Sequence, residues 1–447
     1  MAPRTHRTRA AAAITALLFV GAQAHGSQPH VHEARANPVA RADASSATSE
    51  ASMAGILGDA AECVAYDYPP IDAALASGEI PPIWKVVQSV QSDAEGYALF
   101  QKLNASAPNI APKGFNGTLN PNLNYDTATD PDCYWTATQC LTPKAPGLAP
   151  DVGQVPEPKT LGYGFDDGPY CGHNEFYDFL TTNNQKATFY YIGSNIADNP
   201  WQAQRAVADG HEVCVHTWSH PPMTSLTNEQ VFGELWYTLK VMKLVMGITP
   251  TCFRPPLGDM DDRVRYFAQA LNFTIIMWEY DAFDWEEGMN GVTNQTVYSN
   301  YDKLISDAKA GDMDTHGAII LTHELNTYTI GTAMNLYPQL KDAFEWITPV
   351  GVALNRTQPY VEQNYTQDNF AQYIAARGGP AAPASASSGG ASGKASATGS
   401  APGSSSSGAS SNDQSTSATK GSSGATSTGV QVGTALLGLF TVAFALL

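Results

Sequence analysis

Between about Thr160 and Pro349, short apolar runs alternate with segments that have helical periodicity. The apolar runs are continuous and rich in β-branched and aromatic residues, which is typical of strands buried on both faces of a parallel sheet. Repeated strand–helix units of this kind predict an α/β fold, either a (β/α) barrel or a doubly wound sheet. The six predicted strands are LGYGF (161–165), ATFYYIG (187–193), EVCVH (212–216), TCFRP (251–255), TIIMWEY (274–280) and GAIILTH (317–323).

The segments between these runs predict helices, and they include EFYDFLTTNN, WQAQRAVADG and VFGELWYTLKVMKLVMG. The third helix is preceded by Thr227, and Gln230 follows three residues later. This spacing fits a capping box, in which each of the two side chains binds the backbone N–H of the other residue. We therefore predict that this helix begins directly after Thr227.

Both ends of the chain differ from this pattern. Residues 1–24 have a basic start, an apolar core and a small-x-small cleavage site, which predicts a secretory signal peptide. Residues 378–428 are almost entirely Ser, Gly, Ala and Thr, and they predict a disordered stalk. The apolar tail 429–447, preceded by small residues, predicts a GPI-anchor signal, with a tail-anchored single-pass segment as the alternative. Candidate attachment residues are Gly421, Ser422 and Ser423.

The cysteines and glycosylation sequons agree with secretion. Six cysteines are an even number, and in an oxidising compartment they predict disulfides. Fifteen pairings are possible, and spacing alone favours only Cys133–Cys140. The N-x-[ST] pattern marks six candidate N-glycosylation sites, which are Asn104, Asn116, Asn272, Asn294, Asn355 and Asn364.

The formal net charge is −18, and the body of the chain has no cluster of Lys or Arg. Nucleic acid is therefore excluded as an expected partner, because binding to phosphates requires such clusters. An acidic surface would suit a cationic polymer, but many secreted proteins are acidic for other reasons.

Reactive polar residues follow the predicted strands at the points where the apolar runs stop. In both candidate architectures the active site lies at the carboxyl ends of the strands. Five such groups are too many to be explained by turn chemistry alone. They are Asp166-Asp167, His216 with His220, Arg254 with the following PPLG, Asp281 with Asp284 and Trp285, and His323 with Glu324.

Two of these groups together have the composition of a metal site. Histidines four residues apart can face the same way on one helical turn, and with one carboxylate they suit Zn²⁺ with a position open for water. A second, unligated carboxylate could act as the general base toward that water. A cation would also offset the repulsion between Asp166 and Asp167. A lone histidine near a strand end is more often structural, and we interpret His173, His211 and His316 in that way.

The ordered series FDDGP, HTWSH, RPPLG, DAFDW and LTH resembles the five motifs of the polysaccharide deacetylase family, the NodB-homology or family 4 carbohydrate esterases. Within that family, the chain is most similar to the fungal GPI-anchored chitin deacetylases. The resemblance implies a distorted (β/α) barrel over residues 156–350 that hydrolyses acetyl groups on glycans with a divalent metal. It leaves an N-terminal extension of unknown role, residues 25–155, and a flanking segment, residues 351–377.

The resemblance also implies a role for each motif residue. Asp167, His216 and His220 would be the metal ligands, for Zn²⁺ or alternatively Co²⁺. Asp166 would be the general base, oriented by Arg254, and His323 the general acid, held by Asp284. Trp285 and Leu321 would line the pocket for the acetyl methyl group. A backbone N–H near Leu257 would stabilise the oxyanion; the family usually has Tyr at this position, so the preference between chitin and chitosan stays open.

The resemblance and the tail together predict the substrate and the location. We expect hydrolysis of N-acetyl groups of cell-wall chitin or partly deacetylated chitosan by a monomer that is GPI-anchored to the outer leaflet of the plasma membrane and to the cell wall. One alternative is an acetylxylan or other glycan O-acetyl esterase of the same family. Another is a non-catalytic, wall-anchored, glycan-binding mannoprotein, but all the predicted ligands and acid–base residues are present.

Overall fold

A computed structural model describes residues 42–380 of the 447-residue chain. The predicted signal peptide, nearly all of the predicted stalk, the apolar tail, and Gly421, Ser422 and Ser423 lie outside the described residues. Within residues 42–380, no helix has both the length and the apolar character needed to cross a lipid bilayer.

The described strands are short, and the helices lie between them along the chain. The strands are β1 (Gly114–Phe115), β2 (Thr118–Leu119), β3 (Thr160–Gly162), β4 (Gly164–Gly168), β5 (Thr188–Tyr191), β6 (Glu212–Val215), β7 (Cys252–Phe253), β8 (Thr274–Ile275), β9 (Tyr280–Asp281), β10 (Ala318–Leu321) and β11 (Trp346–Thr348). The α-helices are α1 (Glu50–Ala54), α2 (Asp59–Glu62), α3 (Pro69–Ser77), α4 (Ala94–Asn104), α5 (Trp135–Thr138), α6 (Asn174–Thr182), α7 (Gly193–Asp198), α8 (Pro200–Ala208), α9 (Asn228–Met246), α10 (Asp262–Ala270), α11 (Asn294–Ala310), α12 (Thr327–Ala343), α13 (Val350–Ala353) and α14 (Phe370–Ala375). Single 3-10 turns lie at Ala44–Ser46, Met223–Ser225, Pro256–Gly258 and Asp284–Glu286.

The strands after the β1–β2 hairpin form two parallel sheets. One sheet has the order β4-β5-β6-β7-β8 and the other β11-β3-β10-β9. An isolated parallel bridge between Asp166 and His323 lies between β4 and the end of β10, so the two sheets meet at that point. The predicted α/β class is confirmed, with every pair in both sheets parallel. A single closed barrel stays a prediction.

Two predicted strands are each divided in the structure. LGYGF becomes β3 and β4, because at Tyr163 the chain changes partners: its N–H donates to Thr348 and its carbonyl accepts from Thr188. TIIMWEY likewise becomes β8 and β9, because the chain leaves β7 and pairs with β10 at Tyr280. Apolar character predicts that these residues are buried, but it does not determine which neighbour each residue pairs with.

The long helix α9 begins where the sequence predicts. The Gln230 N–H donates to Thr227 Oγ1 at 3.3 Å, and the Thr227 N–H donates to Gln230 Oε1 at 2.9 Å, which completes the capping box. The helix ends at Gly247, whose φ of +71° is readily adopted by glycine. It packs against α4, α7, α8 and α10.

The N-terminal extension packs on the same hydrophobic core as the sheets. Ile71, Val87 and Phe100 are buried with residues of α9, and the ring centroid of Phe100 lies 5.7 Å from that of Phe232. Cys63–Cys171 also joins the extension covalently to the loop that follows β4.

All six cysteines form disulfides in the structure. The predicted Cys133–Cys140 pair is confirmed, and Cys214–Cys252 joins the neighbouring strands β6 and β7. Their thiolates are therefore not available as metal ligands.

Candidate active site

The five motifs converge on one groove at the carboxyl ends of the strands. Its volume is about 1820 Å³, above the roughly 300–1,000 Å³ of an ordinary small-molecule pocket, so the groove has room for an extended ligand. Most of the predicted site residues line it, which are Asp166, Asp167, His216, His220, Leu257, Trp285, Leu321 and His323. Arg254 and Asp284 lie directly behind this lining, each bonded to one of its members.

Asp167, His216 and His220 form a group with the geometry of a metal site. One ligand atom from each residue lies within 4.8 Å of the other two. Asp167 Oδ1 is 3.4 Å from His216 Nε2 and 3.1 Å from His220 Nε2, yet this buried oxygen accepts no hydrogen bond within residues 42–380. The contact of His216 Nδ1 with the Arg254 carbonyl, at 2.7 Å, directs the lone pair of its Nε2 toward the site. These donors fit a divalent cation.

The two histidines do not lie on a helical turn, so that part of the sequence interpretation is wrong. His216 directly follows β6, and the segment to His220 is a loop in which Thr217 and His220 have φ of +66° and +58°. The His220 N–H donates to Thr217 Oγ1 at 3.1 Å. Glu234 of α9 accepts hydrogen bonds from the Ser219 N–H and hydroxyl. The loop, and not helical periodicity, brings the imidazoles together.

Asp167 has an unusual backbone conformation and an unusual charge environment. Its φ of +71° is rare for a residue other than glycine, and such conformations cluster at functional sites. Burial by itself would raise the pKa of its carboxyl group. The imidazoles of His220 and His216 outweigh burial and hold this pKa well below its ordinary value. The carboxylate is therefore ionised and available to a cation.

Asp166 is held by a buried arginine. Arg254 Nη1 donates to Asp166 Oδ1 at 2.6 Å, while its other nitrogens donate to the carbonyls of Ile276 and Met277. The guanidinium group lies 3.9 Å from the centroid of the Tyr190 ring. Because these contacts occupy the guanidinium on several sides, Arg254 orients one oxygen of Asp166 and leaves the other oxygen toward the groove.

His323 and Asp284 form a tight pair beside Asp166. His323 Nδ1 lies 2.6 Å from Asp284 Oδ1, and the His323 N–H donates to Asp284 Oδ2 at 3.0 Å. Burial lowers the pKa of the imidazole, but the Asp284 carboxylate more than offsets it and raises the pKa of His323 to about 10. His323 is therefore a cation that carries a proton at the groove wall.

Leu257 lies on an exposed, left-handed turn that lines the groove. Its φ is +59° and its side chain is 51% exposed. Neighbouring N–H groups donate to the carbonyls of Pro255 and Pro256, whereas the Leu257 N–H has no acceptor in the described part of the chain. This donor is free to bind a ligand. Leu321 and Trp285 provide apolar surface in the same groove.

The histidines interpreted as structural have different surroundings. His211 is buried, and its Nδ1 accepts from the Ala187 N–H; His316 is half-buried with Nδ1 near the Gly317 carbonyl. His173 has a partner that sequence reasoning missed, because its Nδ1 lies 2.6 Å from Glu324 Oε1 in a fully buried pair. Glu324 directly follows His323, and that adjacency was the only signal in the sequence.

Sequence reasoning also missed two groove residues of the N-terminal extension. Trp135 and Gln139 line the groove although no motif marks them.

The candidate N-glycosylation sites are all exposed, namely Asn104, Asn116, Asn272, Asn294, Asn355 and Asn364. Whether they carry glycans stays a prediction.

Comparison with known proteins gives consistent results. Residues 153–276 match the family model described as polysaccharide deacetylase. The chain is 48% identical over 333 residues to chitin deacetylase 2 of Cryptococcus neoformans var. grubii, covering 73% of this chain and 72% of that protein. It is 40% identical over 306 residues to a chitin deacetylase of Amylomyces rouxii, covering 67% of this chain and 72% of that protein.

Among solved structures, the chitin deacetylase of Colletotrichum lindemuthianum aligns with a TM-score of 0.44 at 23% identity, covering 49% of this chain and 96% of that chain. The family assignment rests on the sequence matches, because they combine high percentage identity with coverage of most of the chain. The chain belongs to the polysaccharide deacetylase family, as its five ordered motifs predict.

Proposed function

We propose that this protein is a chitin deacetylase that hydrolyses the N-acetyl groups of N-acetylglucosamine units in cell-wall chitin or partly deacetylated chitosan. The products are glucosamine units and acetate. The observation that carries the proposal is the groove itself, where a His-His-Asp group lies beside an arginine-held carboxylate and a protonated imidazole. The identity of 48% to a protein named chitin deacetylase supports the choice of substrate.

Asp167, His216 and His220 would hold one divalent cation, and Zn²⁺ is the metal that their donor atoms suit, with Co²⁺ as the alternative. Such an ion would polarise the acetamide carbonyl and make water a better nucleophile near neutral pH. The unbonded Oδ1 of Asp167 and the orientation of His216 support this assignment.

Asp166 would take the proton from the attacking water as the general base. Its Oδ1 is bonded to Arg254, so the remaining oxygen is the one directed to the reaction. Arg254 therefore acts as a positioning residue. Because Arg254 is fully buried, its guanidinium group stays in place and does not contact solvent.

The acetyl group would lie between Leu257 and the apolar residues Leu321 and Trp285. The free N–H of Leu257 would donate to the carbonyl oxygen as it becomes negatively charged. One such donor is typically worth about 3–4 kcal/mol in the transition state. Because this role uses the backbone, leucine can replace the usual tyrosine without loss of the chemistry.

His323 would then protonate the departing amine as the general acid. Asp284 binds Nδ1, so Nε2 is the nitrogen that delivers the proton. The raised pKa keeps His323 protonated at neutral pH, which is the form an acid needs. After C–N cleavage the amine leaves on the sugar, and acetate is released.

We also propose that the enzyme is a secreted, GPI-anchored monomer at the plasma membrane and cell wall. The apolar tail behind Gly421–Ser423, the Ser-rich stalk and the exposed sequons support this location.

The decisive experiment is acetate release from chitin oligomers before and after exhaustive metal removal. We expect release that a chelator abolishes and that Zn²⁺ or Co²⁺ restores. Acetylated xylan is the matched control, because a glycan O-acetyl esterase would release acetate from it.

Two variants test the residue roles. Asp166→Asn should retain the metal and lose turnover, whereas His220→Ala should lose the metal. Full activity without metal, or release from xylan alone, would disprove the proposal.

A further inference from the structure

A short turn of the N-terminal extension forms part of the groove wall. The turn runs from Cys133 to Cys140 and contains α5. Its residues Trp135, Thr136 and Gln139 line the same groove as the His-His-Asp group. The family model begins only at residue 153, so it assigns nothing to this turn.

The turn is held rigidly at both ends. A disulfide closes it between Cys133 and Cys140. The buried Arg265 donates to both of these carbonyls, at 2.6 Å to Cys133 and 2.8 Å to Cys140. Asp151 binds the same guanidinium at 2.7 Å and keeps it in place. A surface ordered before the ligand arrives loses less entropy on binding than a flexible loop does.

The turn is also continuous with the loop that carries Leu257. The Trp135 N–H donates to the Met260 carbonyl at 2.9 Å, and Thr136 Oγ1 donates to Asp259 Oδ1 at 2.7 Å. The Trp135 ring packs directly on Gly258, where an added Cβ would lie 2.2 Å from it. A glycan that reaches the Leu257 N–H would therefore extend along this turn next.

The residues that the turn contributes to the groove wall suit an uncharged sugar. Trp135 and Trp278 both line the groove, with their ring centroids 4.6 Å apart. Gln139 is exposed, has φ of +54°, and its amide has no partner within residues 42–380. A primary amide can both donate to and accept from hydroxyl and acetamido groups. The segment between the two cysteines carries no charged side chain.

We propose that the Cys133–Cys140 turn is a subsite that binds an N-acetylhexosamine unit of the polymer next to the unit that is deacetylated, with Gln139 hydrogen-bonded to that sugar. This inference rests on the proposed function, because it takes the same glycan as the ligand. It gives the N-terminal extension a direct part in binding long substrates.

The test compares Gln139→Gly with Asn184→Gly. Glycine removes the amide and also accommodates a positive φ, so neither variant should misfold. Asn184 is a matched control because it is an exposed amide with φ of +49° in the loop between α6 and β5, away from the groove. The kcat/KM for acetate release is measured on N-acetylglucosamine and on chitin oligomers from the dimer to the hexamer. Calorimetry measures the binding of the same oligomers.

For Gln139→Gly we expect about a three- to tenfold loss of kcat/KM and affinity on the longer oligomers, as for one lost hydrogen bond, and no loss on the single sugar, which cannot occupy two adjacent subsites. Asn184→Gly should match the wild type at every length. An unchanged length profile, or an equal loss at every length, would overturn the subsite. A wild type that releases no acetate would disprove the proposed function instead, and the binding data would still decide whether Gln139 contacts the sugar chain.

Discussion

Two neighbouring histidine–carboxylate pairs in this molecule differ in whether they face the groove. His323–Asp284 and His173–Glu324 each have an Nδ1–O distance of 2.6 Å. His323 and Glu324 are consecutive residues, and side chains of consecutive residues in extended chain point to opposite sides. The His323 side chain therefore lines the groove, while Glu324 reaches behind β4 to His173.

The surroundings of the second pair are those of a structural element. Glu324 also accepts from the Tyr170 N–H and the Tyr177 hydroxyl, and its own N–H donates to the Asp166 carbonyl. The ring of His173 lies 4.1 Å from that of Tyr177, and its Nε2 is buried without a partner in the described part of the chain. The same pair chemistry is thus useful for proton transfer only where the second nitrogen can reach a substrate.

The largest expected effect comes from His323→Ala. Removing the general acid should lower kcat by about 10²–10⁴-fold, while the protein stays folded. Acetate release and thermal unfolding measure the two effects. His316→Ala is the matched control, since His316 also lines the groove but within residues 42–380 its ring contacts only the carbonyl of Gly317, and the kcat of this variant should stay near that of the wild type. A His323→Ala variant with nearly normal kcat would break the comparison.

Asp284→Asn should have the next largest effect, and it should depend on pH. The acid must be protonated, so activity falls as pH rises through the pKa of His323. That pKa is about 10 with the carboxylate in place, and without it the pKa should fall toward its ordinary value. The alkaline limb of the kcat–pH profile should therefore move to lower pH. Glu324→Gln should leave this limb where it is, and a shift of equal size in that variant would contradict the distinction.

Glu324→Gln tests the structural pair through stability. The amide of the variant would direct an N–H at groups that now donate to the carboxylate. The free energy of unfolding should therefore fall by about 1–3 kcal/mol. A lower Tm with kcat changed only severalfold is the expected result. If kcat fell strongly while Tm stayed the same, Glu324 would belong to the catalytic machinery.

The smallest effect is expected at a third pair with the same separation. Lys309 Nζ and Asp342 Oδ2 are also 2.6 Å apart, but the side chains are 50% and 75% exposed. Water and salt screen such a pair, so Lys309→Ala should leave both Tm and kcat unchanged within error. A clear drop in Tm would mean that the separation of the charged atoms affects stability more than their exposure to solvent does.

Much of the candidate site could be predicted from the sequence, because parallel strands bring their carboxyl ends to one edge. Asp166, Asp167, His216, His220 and His323 all follow apolar runs, and all line the groove. The spacing in HTWSH nevertheless predicts a helical turn, whereas the structure has a loop there. Its loop geometry depends on left-handed residues and on the contacts of Ser219 with Glu234, and neither leaves a periodic pattern.

The order of polar and apolar residues determined by itself the α/β class, the start of α9, and the residue types available for a metal and for acid–base chemistry. These features depend on local periodicity and on chain direction, and both are determined by residues that are neighbours in the sequence. Only the tertiary structure decided that Trp135 and Gln139 reach the groove, that Cys63 pairs with Cys171, and that Glu324 faces His173. Those contacts join residues far apart in the chain, and packing alone selects them among many alternatives of similar chemistry.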